Sequence, residues 1–263
     1  MDKNIKIVFV DIDWTILNHK HKPPKYDKAS IKALKKVQKK GVLVFVCTAR
    51  PYHSVNQIKL FDQFTPDGLI AANGGIVFVG DKVIYKTEYP FKDFEKLCEK
   101  VLSLGLNLEG IREKDCFIIS HNLEDMNKLF STYAEDIPPV EDYHQQEVIG
   151  VNLFAPEKYD LEIKSYIKGA EYYFRYHPYG VDLAYIPHIK GEGVKKVLEY
   201  FHITKENAMA IGDDLQDIEM FAEVKYKVAM KNAKEEVKQA SNFITRHINH
   251  HGVKHALKKY KIV

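Results

Sequence analysis

Asp11 and Asp13 stand two residues apart directly after the apolar run Ile7-Val8-Phe9-Val10, and Thr15 follows two further on. Side chains alternate along extended backbone, so both carboxylates leave the strand on the same side. At ~4 Å and an effective dielectric of about 20, two such charges repel by about 4 kcal/mol. Acid pairs kept at that cost usually hold a hard cation through oxygen ligands, Mg²⁺ above all. A solvated strand-end turn, where Asp and Asn are common, is the plain alternative.

Three more groups bear on that choice. Thr48 ends a second apolar run, residues 42–46 plus Cys47, and the backbone N–H groups of Ala49 and Arg50 follow it. A hydroxyl with forward-pointing amides binds phosphate oxygens, although Thr48 reads equally well as a helix N-cap. Lys190, in Ile-Lys-Gly-Glu-Gly, is a point charge for a phosphate, or one more surface lysine in a lysine-rich chain. Gly212-Asp213-x-x-x-Asp217 supplies a second acidic strand end. Taken singly, Asp213 is an ordinary N-cap and Asp217 a first-turn acid favoured by the helix dipole. Two acidic strand ends with a threonine and a lysine are harder to read as coincident caps.

The elements that must carry these residues follow from the pattern. Residues 7–10, 42–46, 68–71 and 208–211 are short continuous apolar runs, as in strands buried on both faces of a parallel sheet. Ile31, Leu34 and Val37 recur at helical spacing before Gly41. Residues 76–79 and 82–85 form a hairpin across Gly80-Asp81. From about Tyr89 the texture changes. Helical patterns over 91–104, 123–133 and 156–167 alternate with strands over 116–120, 148–154, 172–176 and 181–186. After Lys190 the parallel texture resumes, with a helix carrying Val194, Val197, Leu198 and Phe201, and a last helix from Gly252. In open α/β sheets ligands bind at the carboxyl ends of the strands, where Asp11, Thr48 and Asp213 fall. The expected architecture is α/β: a doubly wound, mostly parallel, Rossmann-like core of residues 1–82 and 188–263, with residues 83–187 inserted as an α+β cap.

Composition narrows the function classes. The 263 residues carry 39 basic and 36 acidic side chains, a formal charge of +3, with no basic stripe interleaved with aromatics, so a nucleic-acid partner is not expected. Cys47, Cys98 and Cys116 lack metal or disulfide spacing, which suits a reducing cytoplasm. No apolar signal segment opens the chain and no run is long enough to cross a bilayer, so no membrane partner is expected either. Cys47 as a phosphatase nucleophile would need an arginine placed to close a phosphate loop, and Arg50 is too near. His247, His251 and His255 have helical spacing, but Gly252 interrupts it and no carboxylate or thiol completes a zinc set.

In order, Asp-x-Asp-x-Thr, Thr, Lys and Gly-Asp-x-x-x-Asp resemble the motifs of the haloacid dehalogenase (HAD) superfamily. The likeness is closest to its Cof-type (subfamily IIB) capped phosphatases, whose cap lies between the second and third motifs. Asn73-Gly74-Gly75, Ala229-Met230-Lys231-Asn232-Ala233 and Gly252-Val253 also look like Cof-type signatures. The resemblance implies that Asp11 is a nucleophile giving an aspartyl-phosphate, and that Asp13 is the general acid and base. It implies Mg²⁺ held by the Asp11 carboxylate, the Asp13 backbone carbonyl and Asp213, with Asp217 in or just behind that shell. Thr48 and Lys190 would hold phosphoryl oxygens, with Ile12, Ala49 and Gln216 as further phosphate or substrate contacts. Three positions depart from the pattern: Trp14 and Ala49 stand where glycine is common, and Gln216 where asparagine is usual. The implied activity is Mg²⁺-dependent hydrolysis of a small phosphorylated metabolite, of the sugar phosphate or cofactor phosphate class, with the cap setting specificity. A sugar phosphomutase and a non-catalytic phosphate-sensing module are the alternatives. Oligomeric state is not legible.

Overall fold

The computed structural model describes residues 4–120, 122–133, 135–143, 147–167, 172–184 and 189–263. In chain order its strands are β1 (Ile7–Val10), β2 (Leu17–Asn18), β3 (Lys25–Tyr26), β4 (Leu43–Cys47), β5 (Gly68–Ala71), β6 (Ile76–Val79), β7 (Lys82–Lys86), β8 (Asn107–Ile111), β9 (Cys116–Ile119), β10 (Gly150–Phe154), β11 (Tyr172–His177), β12 (Gly180–Ala184), β13 (Ala208–Gly212), β14 (Tyr226–Ala229) and β15 (Phe243–Ile244). The chain separates into two compact units. Met1–Ala49, Lys59–Tyr85 and Lys190–Val263 form one; Arg50–Ile58 and Lys86–Ile189 form the other. The expected junction at 187/188 lies outside the described residues, as does the end of the strand expected over 181–186.

The first unit is built on an eight-stranded sheet in the order β15-β14-β13-β1-β4-β5-β6-β7. From β15 to β5 neighbouring strands run parallel, and β6 turns antiparallel to β5. All four residues of β1 are fully buried, as an unbroken apolar run in mid-sheet requires. Val10 stands opposite both Val46 and Ile211, so β1, β4 and β13 end level at one edge. That edge is the switch point of the sheet, because β4 and β13 leave β1 in opposite directions.

Helices brace it. Lys28–Lys39 starts at Asp27, whose carboxylate accepts from the Ala29 N–H at 3.1 Å, and it buries Ile31, Ala33, Leu34 and Val37. The helix Ile189–Tyr200 carries two glycines in its first turns. A Cβ on Gly193 would lie 2.6 Å from Ile70 Cγ2, and one on Gly191 2.9 Å from the Glu219 carbonyl oxygen. Both glycines let this helix start pack directly on β5 and on the segment after β13.

The second unit holds a five-stranded antiparallel sheet in the order β11-β12-β10-β8-β9. One cluster, with Phe94, Leu97 and Val101 of the helix Phe91–Ser103, packs on Leu108, Phe117, Val151, Leu153, Val181 and Leu183. A smaller cluster joins Ile118 and Phe154 to Met126, Leu129 and Phe130 of the helix Glu124–Tyr133. Strand β8 lies inside the sheet, although no strand was expected there from the sequence. Its Asn-Leu-Glu-Gly-Ile breaks the apolar pattern twice. Gly110 is needed because the Phe117 ring fills the place of its side chain, with a Cβ only 2.3 Å from Cζ. Glu109 is buried beside Asn152, whose Nδ2 donates to its carboxylate at 2.6 Å, and Asp182 is the next residue across that register.

Burial pushes the Glu109 carboxyl up from an ordinary 4.5 to about 7; the Asn152 amide opposes this, and Glu135 and Asp182 add to it. The folded state therefore keeps a proton that the unfolded chain has lost. Stability should fall between pH 4.5 and about 7, by on the order of 3 kcal/mol, and stay low above that window. Glu109→Gln mimics the protonated side chain. It is expected to raise the melting temperature by several degrees at pH 8 and to change it little at pH 4.5. Thermal unfolding of both proteins across that range checks this; a difference independent of pH would refute it.

Candidate active site

Asp11, Thr48 and Asp213 follow β1, β4 and β13, so three adjacent parallel strands deliver them to one edge. The Asp11 N–H donates to the Ile211 carbonyl at 3.0 Å and the Thr48 N–H to the Ile70 carbonyl at 2.9 Å, carrying the ladder one residue past each strand. The Thr48 carbonyl in turn accepts from the Asn73 N–H at 3.1 Å. The Asn73-Gly74-Gly75 turn, with Asn73 at φ +55° and Gly74 at φ +97°, thereby holds the Thr48 loop.

Lys190 enters from the first turn of its helix, where its backbone N–H donates to the Glu219 carboxylate at 3.1 Å. Its ammonium donates to Asp11 Oδ1 at 3.0 Å and to Asp217 Oδ1 at 2.5 Å. The other Asp217 oxygen accepts from the N–H groups of Asp213 at 2.7 Å and Asp214 at 3.0 Å. Gly212 is fixed by this arrangement, since a Cβ there would stand 2.2 Å from Asp217 Oδ2. Thr15 Oγ1 donates to Asp213 Oδ1 at 2.8 Å. Asp11, Asp213 and Asp217 each offer an oxygen within 4.8 Å of the other two, the group with metal-ligand spacing among the described residues.

Burial dominates the electrostatics. It raises the Asp11 carboxyl, against the lowering pull of Lys190 and with added repulsion from Asp217 and Asp13. It also raises Asp213 well above the carboxylate range, reinforced by Asp11 and Asp217 and opposed by the Thr15 hydroxyl. For Lys190 burial works against the charge, but Asp11 and Asp217 overcome it and hold the ammonium well above the usual lysine range. Three acids and one base leave excess negative charge, with oxygen as the only donor type. That donor set fits a hard divalent cation.

The other expected residues sit as follows. Ile12 is buried, and its carbonyl accepts from the N–H groups of Ile16 and Leu17, both at 2.8 Å, so it organises the turn after β1. Thr48 is buried, Ala49 half-buried, and Gln216 buried just before the helix Asp217–Ala222. Asp13 is half-buried, and His19 Nε2 lies 2.5 Å from its Oδ1. Burial pushes the Cys47 thiol far up, so it supplies no thiolate. His251 and His255 are engaged elsewhere, by Asp27 at 2.7 Å and by Thr245 at 2.9 Å. Sequence reading gave no role to Thr15, His19, Glu219 or Asn232. Two of these lay inside recognised signatures: Thr15 in Asp-x-Asp-x-Thr, and Asn232, whose amide donates to the Trp14 carbonyl at 2.9 Å.

Residues 8–257 match the family of haloacid dehalogenase-like hydrolases. The chain belongs to that family. A putative phosphatase of Bacillus subtilis (strain 168), YkrA, is 29% identical over 97% of both chains. Phosphoglycolate phosphatase 1 of Saccharolobus solfataricus is 28% identical over 97% of this chain and 95% of its own. Among solved structures, the HAD subclass IIB sugar phosphatase BT4131 superposes with a TM-score of 0.86 at 27% identity, covering 98% of this chain and all of that one. These comparisons put the HAD-type chain among the Cof-type phosphatases, and its two-sheet α/β architecture matches that of BT4131.

Trp14 departs from this family's pattern at a physical cost. It lies at φ +56°, a left-handed conformation that costs a residue with a side chain about 1–2 kcal/mol. Glycine, common there in the family motif, adopts it without strain. The indole is 42% exposed, so burial offsets little of that cost. Trp14→Ala and Trp14→Gly both remove the ring, and only glycine removes the strain. The glycine variant is expected to be the more stable by about 1 kcal/mol, reversing the usual order of these residues. Chemical denaturation of the pair checks this, and an alanine variant at least as stable would refute it.

Proposed function

We propose that the protein is a Mg²⁺-dependent phosphomonoester hydrolase acting through an aspartyl-phosphate on a small phosphorylated metabolite, of the sugar phosphate or cofactor phosphate class. The observation that carries this reading is the buried Asp11–Lys190–Asp217–Asp213 cluster, assembled from segments far apart in sequence at the switch point of the sheet. Asp11 and Asp213, with the Asp13 backbone carbonyl and Asp217 in or behind them, would hold the ion. When bound, Mg²⁺ neutralises the excess charge and lets an anionic nucleophile approach an anionic ester.

The chain's own groups do the rest. An Asp11 oxygen attacks phosphorus in line; the bond from phosphorus to the leaving oxygen breaks, and Asp13 gives that oxygen a proton. Water then attacks the aspartyl-phosphate and loses a proton to Asp13, which frees phosphate and restores Asp11. Lys190, Thr48 and the amides after Thr48 stabilise the equatorial oxygens, with Ile12, Ala49 and Gln216 as neighbouring contacts. Residues 83–187 form the cap domain that selects the substrate, and residues 1–82 and 188–263 the catalytic core. Three buried, unpaired cysteines fit a reducing cytoplasm. Among the described residues no helix is long and apolar enough to cross a membrane.

Phosphate release from a panel of sugar phosphates and cofactor-type monoesters tests the reading. The expected outcome is turnover that chelation abolishes and Mg²⁺ restores, that Asp11→Asn eliminates, and that Asp13→Asn lowers by about 10²–10⁴-fold. No release from any member, with Asp11→Asn indistinguishable from the unaltered protein, would overturn it. An isomerised sugar phosphate as the product would instead establish a phosphomutase.

A further inference from the structure

The turn after Asp13 is held by bonds within itself and from outside. The Trp14 N–H donates to the Leu17 carbonyl at 2.8 Å, and the Ile12 carbonyl gathers the N–H groups of Ile16 and Leu17. The chain thus makes one tight turn, after which Leu17 bridges Asp13 in parallel, and runs on as β2, which pairs with β3 through Leu17 and Tyr26. Outside groups fasten the turn at three points. Asn232 donates to the Trp14 carbonyl, Thr15 to Asp213, and Asn18 Nδ2 to Asn249 Oδ1 at 2.5 Å. The residue after β2 is His19, and the turn brings its Nε2 to 2.5 Å from Asp13 Oδ1. Its side chain is only 12% exposed against 31% for Asp13. The Trp14 indole covers it, with ring centroids 5.6 Å apart and planes tilted by 44°. The strained backbone of Trp14 therefore places a large ring over the imidazole that touches Asp13.

We propose that His19 is a positioning residue that holds the Asp13 carboxyl in one rotamer for proton transfer at the leaving oxygen. This rests on the reading of Asp13 as general acid and base given above. In the first step the Asp11 oxygen–phosphorus bond forms and the phosphorus–leaving oxygen bond breaks, its electron pair going to the leaving oxygen. That oxygen takes the Asp13 proton, and His19 neither gains nor loses one. Holding the donor matters in proportion to how much the leaving group needs a proton. A misplacement of about 1 Å costs about 100-fold where the transfer is required, and little where it is not.

The test compares kcat/KM, which covers the steps through formation of the aspartyl-phosphate, on the best alkyl phosphomonoester and on p-nitrophenyl phosphate. The nitrophenolate leaves without a proton. His19→Ala is expected to lower the alkyl value by about 100-fold and the nitrophenyl value by less than about threefold. His19→Gln, whose amide nitrogen reaches the place of the ring Nε2, should restore the alkyl value to within about fivefold, whereas the shorter His19→Asn should not. Two readouts lie outside turnover. Mg²⁺ stabilisation against thermal unfolding should match the unaltered protein in all three variants, since His19 holds no ion. Emission from Trp14, the only tryptophan in the chain, should shift in His19→Ala as the ring contact is lost. If the alanine variant does not fold, the Gln–Asn pair carries the comparison. Equal losses on both substrates, no loss, or failure of Gln to restore the alkyl value would overturn the proposal while leaving the phosphatase reading intact. An unaltered protein inactive on both substrates would overturn the phosphatase reading and the role of His19 with it.

Discussion

Asp11, Asp213, Asp217 and Lys190 share a volume from which water is almost excluded, each 8% exposed or less. Removing an ion from water costs several kcal/mol even after relaxation, and a single ammonium cannot balance three carboxylates. The surrounding structure is arranged to tolerate this. Asp217 spends one oxygen on two backbone N–H groups and the other on Lys190, so it acts as much as a brace for the loop after β13 as an acid. Thr15 takes an Asp213 oxygen from the opposite side. What remains uncompensated is concentrated on Asp11 and Asp213, the two carboxyls whose proton affinity is raised by burial and by each other. This imbalance is the physical ground for the divalent cation and anionic substrate of the proposed function.

That arrangement sets demands on backbone well away from the acids. Lys190 reaches Asp11 only because its helix begins against β5, and the helix begins there only because Gly191 and Gly193 lack side chains. With a Cβ at 193 the helix would meet Gly74 Cα at 3.2 Å as well as Ile70, displacing the turn that holds the Thr48 carbonyl. Gly252 plays a similar part at the far side. A Cβ there would strike the Arg246 carbonyl at 2.2 Å and Met230, next to the segment that carries Asn232. Asn232 then links two loops, accepting from the Ile248 N–H at 3.0 Å and donating to Trp14. The signatures at 229–233 and Gly252-Val253, given no role by the sequence, thus help to hold the first acidic loop in place.

The central parallel strands β1, β4, β5 and β13 were legible because each is a short, unbroken apolar run, and a parallel mid-sheet strand can be little else. Asp11, Thr48 and Asp213 stood out as candidates because each directly follows such a run, and Lys190 because it opens the helix where the parallel texture resumes. Strand β8 was not legible, because its glycine and buried glutamate answer to Phe117 and Asn152, partners that no local pattern reveals. The link between Thr15 and Asp213 spans 198 residues, and that between Lys190 and Asp11 spans 179. Spacing suggests such meetings only when both ends lie at strand termini of one sheet. His19 escaped for the opposite reason. Its contact is local, six residues from Asp13, but depends on a tight turn through a left-handed tryptophan, a conformation that sequence rules assign to glycine.

The difference in exposure between Asp11 and Asp13 bears on whether this site turns over or merely senses phosphate. A sensing module profits from a long-lived aspartyl-phosphate, which survives if no acid or base stands near it in contact with water. Here the first carboxylate is nearly dry, its side chain 11% exposed and gripped by Lys190. The second is 31% exposed, two residues further along the chain, and in contact with the His19 imidazole. A group that must protonate a departing oxygen and later deprotonate water has to be reached by both, and a nucleophile has to be shielded from idle solvent. On the proposed reading the two acids, differing in burial, would take those separate tasks, a division that a hydrolase needs and a sensor does not.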